Sequence, residues 1–204
     1  MLWQPKSERP DKLQGQSVTR GIDWVAGGNN TETNYVECAM DRSNKSAQLS
    51  IRRATASDIE VLAELLSYID QAHQPHDRRQ IRQGPPQRAN REHLARGIGD
   101  PATVILVGET RGSLVGYARM ELKHTNGNRL FKPMRLAIVH EVVVAERQGR
   151  NGFGTALMEA LHSEARVAGM ERIQLEHYAA NAAAVRLYAK LGYATMRLVC
   201  VKDL

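Results

Sequence analysis

The chain has 204 residues, of which 42% are hydrophobic, 25% charged and 5% aromatic, the composition of a soluble globular domain with something added. No apolar run approaches the roughly 18 residues of a membrane-spanning helix, and Met1-Leu2-Trp3-Gln4-Pro5-Lys6 lacks the apolar core of a secretory signal. Basic residues outnumber acidic ones 28 to 22, a net +6, while Cys38 and Cys200 form neither a disulfide framework nor a metal spacing; a reducing cytoplasm is the expected compartment.

Residues 1–47 balance six basic against six acidic side chains. Gly27-Gly28-Asn29-Asn30-Thr31-Glu32 cannot pack a core, and no apolar period runs through the segment. It reads as a mostly disordered extension, with Trp3 and Trp24 its only large anchors. From Leu49 the texture changes. Leu49-Ser50-Ile51-Arg52 alternates as a strand, Ser57 or Asp58 can cap a helix, and Ile59, Leu62, Leu65, Leu66 and Ile69 recur at helical spacing until Pro75. Six arginines (78, 79, 82, 88, 91, 96) follow against the single acid Glu92. The cluster reads as a solvated face, and with no aromatic residue to stack bases it does not point to nucleic acid. A second helix is expected from about Arg88 to Arg96.

Strands are expected at Thr103–Val107 and Leu114–Leu122, joined by the hairpin residues Thr110-Arg111-Gly112-Ser113. Asn126-Gly127-Asn128 turns the chain into a third long strand, Leu136–Val144. A helix from Thr155 to Ala168 carries Phe153, Leu157, Leu161 and Ala165 on one stripe and stops at Gly169. Ile173 and Leu175 mark a short strand. Asn181 caps a helix through Val185, Tyr188 and Leu191, Gly192 ends it, and Tyr193–Val201 reads as a closing strand. Hairpins first and strand–helix–strand units afterwards predict a mixed α/β domain over 48–204, its sheet flanked by helices.

The most informative stretch is Val142-Val143-Val144 followed by Gln148-Gly149-Arg150-Asn151-Gly152-Phe153-Gly154-Thr155. A glycine-rich turn opening a helix offers backbone N–H groups to a phosphate or pyrophosphate. A nucleotide P-loop fails because Thr155, not Lys, follows Gly154. A dinucleotide fingerprint fails because Leu157 stands where its third glycine belongs.

With its neighbours, this segment resembles the coenzyme A-binding motif of the GNAT superfamily of N-acetyltransferases, Gln/Arg-x-x-Gly-x-Gly/Ala after a valine-rich strand. Gly149 occupies the position where Arg or Gln is usual, with Gln148 and Arg150 beside it. Ile51-Arg52-Arg53-Ala54-Thr55-Ala56-Ser57-Asp58-Ile59 is similar to the family's opening strand and helix cap. Asn181-Ala182-Ala183-Ala184-Val185-Arg186-Leu187-Tyr188-Ala189-Lys190-Leu191-Gly192-Tyr193 is similar to its late helix. The three lie in order over about residues 49–204.

The resemblance implies a single GNAT-like domain with a mostly antiparallel sheet, and direct transfer of acetyl from acetyl-coenzyme A to an amine without a metal. It assigns the main chain of Val142, Val143 and Val144, the turn Gln148–Thr155 and, alternatively to its capping role, Asn181 to the cofactor. Tyr188 is the expected donor of a proton to the departing thiolate. Glu141 is the expected base, directly or through water, since an amine of pKa about 10.4 is neutral in only about one molecule in 2,500 at pH 7. On a regular strand His140 points to the face opposite Glu141. A zinc site at His140-Glu141 fails because no His stands at 144, and His73 and His76 lack further ligands. The acceptor is open among small amines, peptide N-termini and lysine side chains, and a homodimer is admitted. A non-catalytic acyl-coenzyme A sensor or an anion-binding module is the alternative.

Overall fold

The computed structural model of the chain describes residues 36–37, 49–76, 81, 84, 86–145 and 151–203. Among the described residues six strands form one sheet in chain order: β1 (Val36–Glu37), β2 (Leu49–Arg53), β3 (Thr103–Thr110), β4 (Ser113–Thr125), β5 (Met134–Val144) and β6 (Arg172–Leu175). Every neighbouring pair is antiparallel except β5–β6. Hairpins join β3 to β4 and β4 to β5, whereas a parallel pair needs a crossover, here α3 (Phe153–Val167). The other helices are α1 (Ile59–His73), α2 (Gln87–Gly99) and α4 (Ala182–Lys190).

Alternation along the central strands divides the core between two faces. Val104 and Leu106 of β3 join Ala118, Met120, Ala137 and Val139 against α3, where Leu157, Met158 and Leu161 are buried. Ile105 and Val107 join Tyr117 and Val143 against Leu62 and Leu66 of α1 and Leu94 of α2. The mixed fold flanked by helices agrees with the pattern in the sequence.

Two expectations change. β1 lies within the stretch read as an extension and pairs Val36 with Ile51 on the outer edge of β2; residues 1–35 and 38–48 lie outside the described residues. The closing strand over Tyr193–Val201 does not form. Valine and leucine favour a strand only where a partner ladder and a face to pack on are present. This segment instead touches its surroundings through side chains, Arg172 reaching Met196 Sδ and Arg197 lying over the Phe131 ring, and Val199 is 90% exposed.

One ion-pair network pins β2 to the start of α1. The Arg52 guanidinium grips both oxygens of Asp58 at 2.8 Å and also bonds Glu109 on β3. Asp58 in turn accepts the Thr55 backbone N–H at 2.7 Å. The Arg52 hydrogen bonds outweigh burial and, with those from Thr55, hold the Asp58 carboxyl down at about 2. A carboxyl lowered on folding stabilises the protein above its unfolded value, about 3.9, and that contribution disappears as pH falls toward the folded value. Asp58→Asn is therefore expected to cost about 2 kcal/mol at neutral pH, a melting shift of roughly 4–8 °C, and to flatten the loss of stability on acidification. Thermal melts of both proteins between neutral and acid pH check this.

Candidate active site

β6 ends at Leu175, opposite Val139, while β5 runs on to Val144 with only β4 beside it. From His140 to Val144 the edge of β5 facing away from β4 has no strand opposite it among the described residues, so its backbone polar groups need other partners. α3 begins next to the end of this edge. Its first intrahelical bond runs from the Ala156 N–H to the Gly152 carbonyl at 3.0 Å, and the cap residue, Gly152, has no side chain to offer the N–H groups of Phe153, Gly154 and Thr155. Gly152 enters the helix at φ 81°, a left-handed conformation that a side chain disfavours.

The walls of this gap are close. A Cβ on Gly154 would lie 3.5 Å from Leu187 of α4 and 3.9 Å from Val144 of β5. Thus β5, the α3 N-terminus and α4 converge at one place. β4 holds β5 there through Gly116, whose missing Cβ would collide with the Val143 carbonyl oxygen. Val143 itself is buried toward α1 and α2, and Val142 and Val144 pack toward α3. Their side chains belong to the core, which leaves their main chain for the edge.

Tyr188 packs against the α3-side core together with Leu187 and Leu191. Its ring meets Tyr193 edge-on at 5.7 Å and His177 at 5.5 Å. Burial pushes its phenol up, so it stays protonated at neutral pH. The hydroxyl of the neighbouring Tyr193 is taken by His162 at 2.8 Å, and that of Tyr117, on the other face, by Glu141 at 3.3 Å. The Tyr188 hydroxyl has no hydrogen-bond partner among the described residues.

The other half of the site lies on the opposite face and depends on a register shift. Arg119 pairs with Glu141 and Met120 with Val139, so His140 is the extra residue of a bulge. Without it Val139 and Glu141 would share a face. With it Val139 packs toward α3, while Glu141 turns toward α1 and α2. The expectation of a regular strand is thereby corrected: His140 does not simply oppose Glu141, and its Nε2 lies 3.1 Å from Glu121 on β4.

Across the strand Arg119 grips both oxygens of Glu141 at 2.8–3.0 Å, Tyr117 reaches the same carboxylate, and His93 Nε2 of α2 lies 3.3 Å from Oε1. Burial would raise this carboxyl, but the hydrogen bonds from His93 and Arg119 prevail and hold it at about 2. A carboxylate so stabilised is a weak proton acceptor. Its geometry suits holding neighbours in place better than taking a proton from an ammonium group.

Asn181 caps α4, its Oδ1 accepting the Ala184 N–H at 3.1 Å. Asn151 lies exposed before α3, and Gln148, Gly149 and Arg150 fall outside the described residues. Two arginines of the basic cluster are engaged on the surface, Arg88 with Glu92 and Arg91 with Glu60. The rings of His73 and His76 pack on Tyr178, and among the described residues no three His, Cys, Asp or Glu groups gather as a metal site. No helix among them is long and apolar enough to cross a membrane.

The acetyltransferase (GNAT) family model matches residues 66–193, more than half of the chain. The chain belongs to the GNAT acetyltransferase family. It is 32% identical over 96 residues to an N-alpha-acetyltransferase of Sulfurisphaera tokodaii, a match over 46% of this chain and 58% of that relative. The chain thus matches less than two thirds of that relative's length. Among solved structures, the BH1408 protein of Bacillus halodurans superposes with a TM-score of 0.71 at 22% identity, over 76% of this chain and 99% of that one. An aminoglycoside N-acetyltransferase, AAC(6')-Iy, solved with CoA, gives 0.62 at 14% identity over 78% and 97%. These structural likenesses show the fold.

Within this GNAT domain Arg119 and His93 escaped the reading of the sequence. A charged residue inside the apolar run Val115–Met120 was a signal for Arg119. His93 carried none, because its partner lies 48 positions away on another element.

Proposed function

We propose that the protein is an acetyl-coenzyme A-dependent N-acetyltransferase that moves acetyl directly to a primary amine. The reading rests on the edge of β5, which from His140 to Val144 has no strand opposite it among the described residues, ending at the glycine-led N-terminus of α3. An extended pantetheine arm can take hydrogen bonds from the main chain of Val142–Val144, and the pyrophosphate can take the N–H groups of Phe153, Gly154 and Thr155. Gln148, Gly149, Arg150, Asn151 and Gly152 complete the phosphate turn in this proposal, and Asn181 lines the opposite wall. Tyr188, with its hydroxyl unclaimed, is the donor to the departing thiolate. The acceptor amine approaches from the α1–α2 face, where Glu141 stands.

Family membership supports acyl transfer in general; the likeness to an N-alpha-acetyltransferase makes a peptide α-amine the first acceptor to try. The test is acetyl-coenzyme A-dependent release of free thiol with small amines, peptide N-termini and lysine side chains. Turnover with one class supports the reading. Tight binding of acetyl-coenzyme A with no thiol release in any class would favour a sensor.

A further inference from the structure

We infer that His93 takes the proton of the acceptor amine and that Glu141 holds it for that task. The inference rests on the acetyl-transfer reading and names a catalytic residue for it. Glu141 is engaged by Arg119 on both oxygens, so it remains an anion and only accepts. The ring nitrogen facing it, Nε2, must therefore carry a hydrogen. In a neutral imidazole that leaves Nδ1 with its lone pair, and Nδ1 has no hydrogen-bond partner among the described residues. A buried carboxylate fixing the tautomer of an imidazole is the arrangement that makes a histidine a directed base.

Exposure separates the roles. The side chains of Glu141 and Arg119 are each 13% exposed, whereas that of His93 is 39% exposed. Of the three, only the imidazole is open enough to meet an incoming amine. The neighbourhood favours a cation. From α1, Asp70 presents a half-buried carboxylate whose only hydrogen bond is a long one from Asn90 Nδ2 at 3.4 Å, with no cation in ion-pairing distance among the described residues. Burial pushes the Asp70 carboxyl up. Among the described residues, His73 on the same helix acts on Asp70, and Arg119 and Tyr117 on β4 act on Glu141. Beyond Val139 no strand among the described residues pairs with β5 on the side away from β4.

The step balances as follows. The ammonium group gives one proton to Nδ1, which passes it to water. The freed lone pair forms the C–N bond at the thioester carbonyl. As the C–S bond breaks, sulfur takes the Tyr188 proton and the nitrogen gives its second proton to Nδ1. That proton returns to the tyrosinate through water, so one proton is released per acetyl transferred.

His93→Gln tests this, because its amide nitrogen can replace Nε2 toward Glu141 but offers no basic lone pair. Turnover at neutral pH is expected to fall about 10²–10³-fold, with acetyl-coenzyme A affinity by calorimetry and melting temperature unchanged. The deficit should shrink as pH rises and more amine arrives neutral. His93→Ala should regain part of the lost rate on addition of free imidazole. Turnover of His93→Gln within about threefold of wild type, with chemistry rate-limiting, would overturn the inference, as would an equal loss of acetyl-coenzyme A affinity, which makes His93 structural. Failure of the wild-type protein to release thiol with any amine class would instead sink the acetyl-transfer reading, and this inference with it.

Discussion

Tyr188→Phe is expected to lower turnover by about 10²–10⁴-fold, the usual worth of a positioned proton donor, while acetyl-coenzyme A affinity changes little. The change keeps the ring and hence its contacts with Tyr193 and His177. It removes a hydroxyl that no described residue uses, so the fold loses no hydrogen bond and the melting temperature should hold or rise slightly. This combination separates a catalytic tyrosine from a packing one. The deficit should also persist at high pH, because a supply of neutral amine does not replace the donor to sulfur. Near-normal turnover under conditions where chemistry limits the rate would make Tyr188 a core residue and send the search for the acid elsewhere.

Gly154→Val should separate binding from folding at the turn. A Cβ at this position meets only side chains, at 3.5 and 3.9 Å, and valine has a higher helix propensity than the glycine it replaces. The domain should therefore fold. The γ-carbons, however, enter the gap between Val144 and Leu187 and crowd the N–H groups meant for the pyrophosphate. A hydrogen bond to a charged group contributes about 1.5–3 kcal/mol, so losing two weakens coenzyme A binding by roughly 10²–10⁴-fold. Calorimetry on a variant of near wild-type melting temperature checks this, with Gly154→Ala expected to fall between the two. Unchanged affinity in folded Gly154→Val would remove the turn from the site.

Local chemistry made much of this legible from the residues. The continuous apolar run of Thr103–Val107, the stripe through Leu157 and Leu161 and the cap at Asn181 each depend on neighbours in the chain, and each appears where the pattern put it. The bulge at His140 was not legible, because one extra residue in His140-Glu141-Val142-Val143-Val144 leaves composition and hydrophobicity unchanged. Only the pairing with β4 reveals it, yet it decides which face Glu141 occupies. The grip of Arg119 and the approach of His93 follow from that register and from the packing of α2, both long-range. Glu141 is the expected base through the likeness of its strand to the family's, and its ties to Arg119, Tyr117 and His93 appear only once the sheet and α2 are in place. The segment after Tyr193 shows the opposite failure: it has the right residues for a strand but no ladder to join.

Acetyl transfer to nitrogen is read most simply from the product. Incubating the full chain with isotopically labelled acetyl-coenzyme A and a peptide bearing a free α-amine, beside a lysine-containing peptide blocked at its N-terminus and a small primary amine, should leave a labelled acetyl group on the nitrogen of one of them. Tandem mass spectrometry locates the label, and omission of the protein should abolish it. A labelled amide that forms with the wild-type protein and fails to accumulate with Tyr188→Phe is the expected result. Binding of the labelled thioester with every amine recovered unmodified would contradict it.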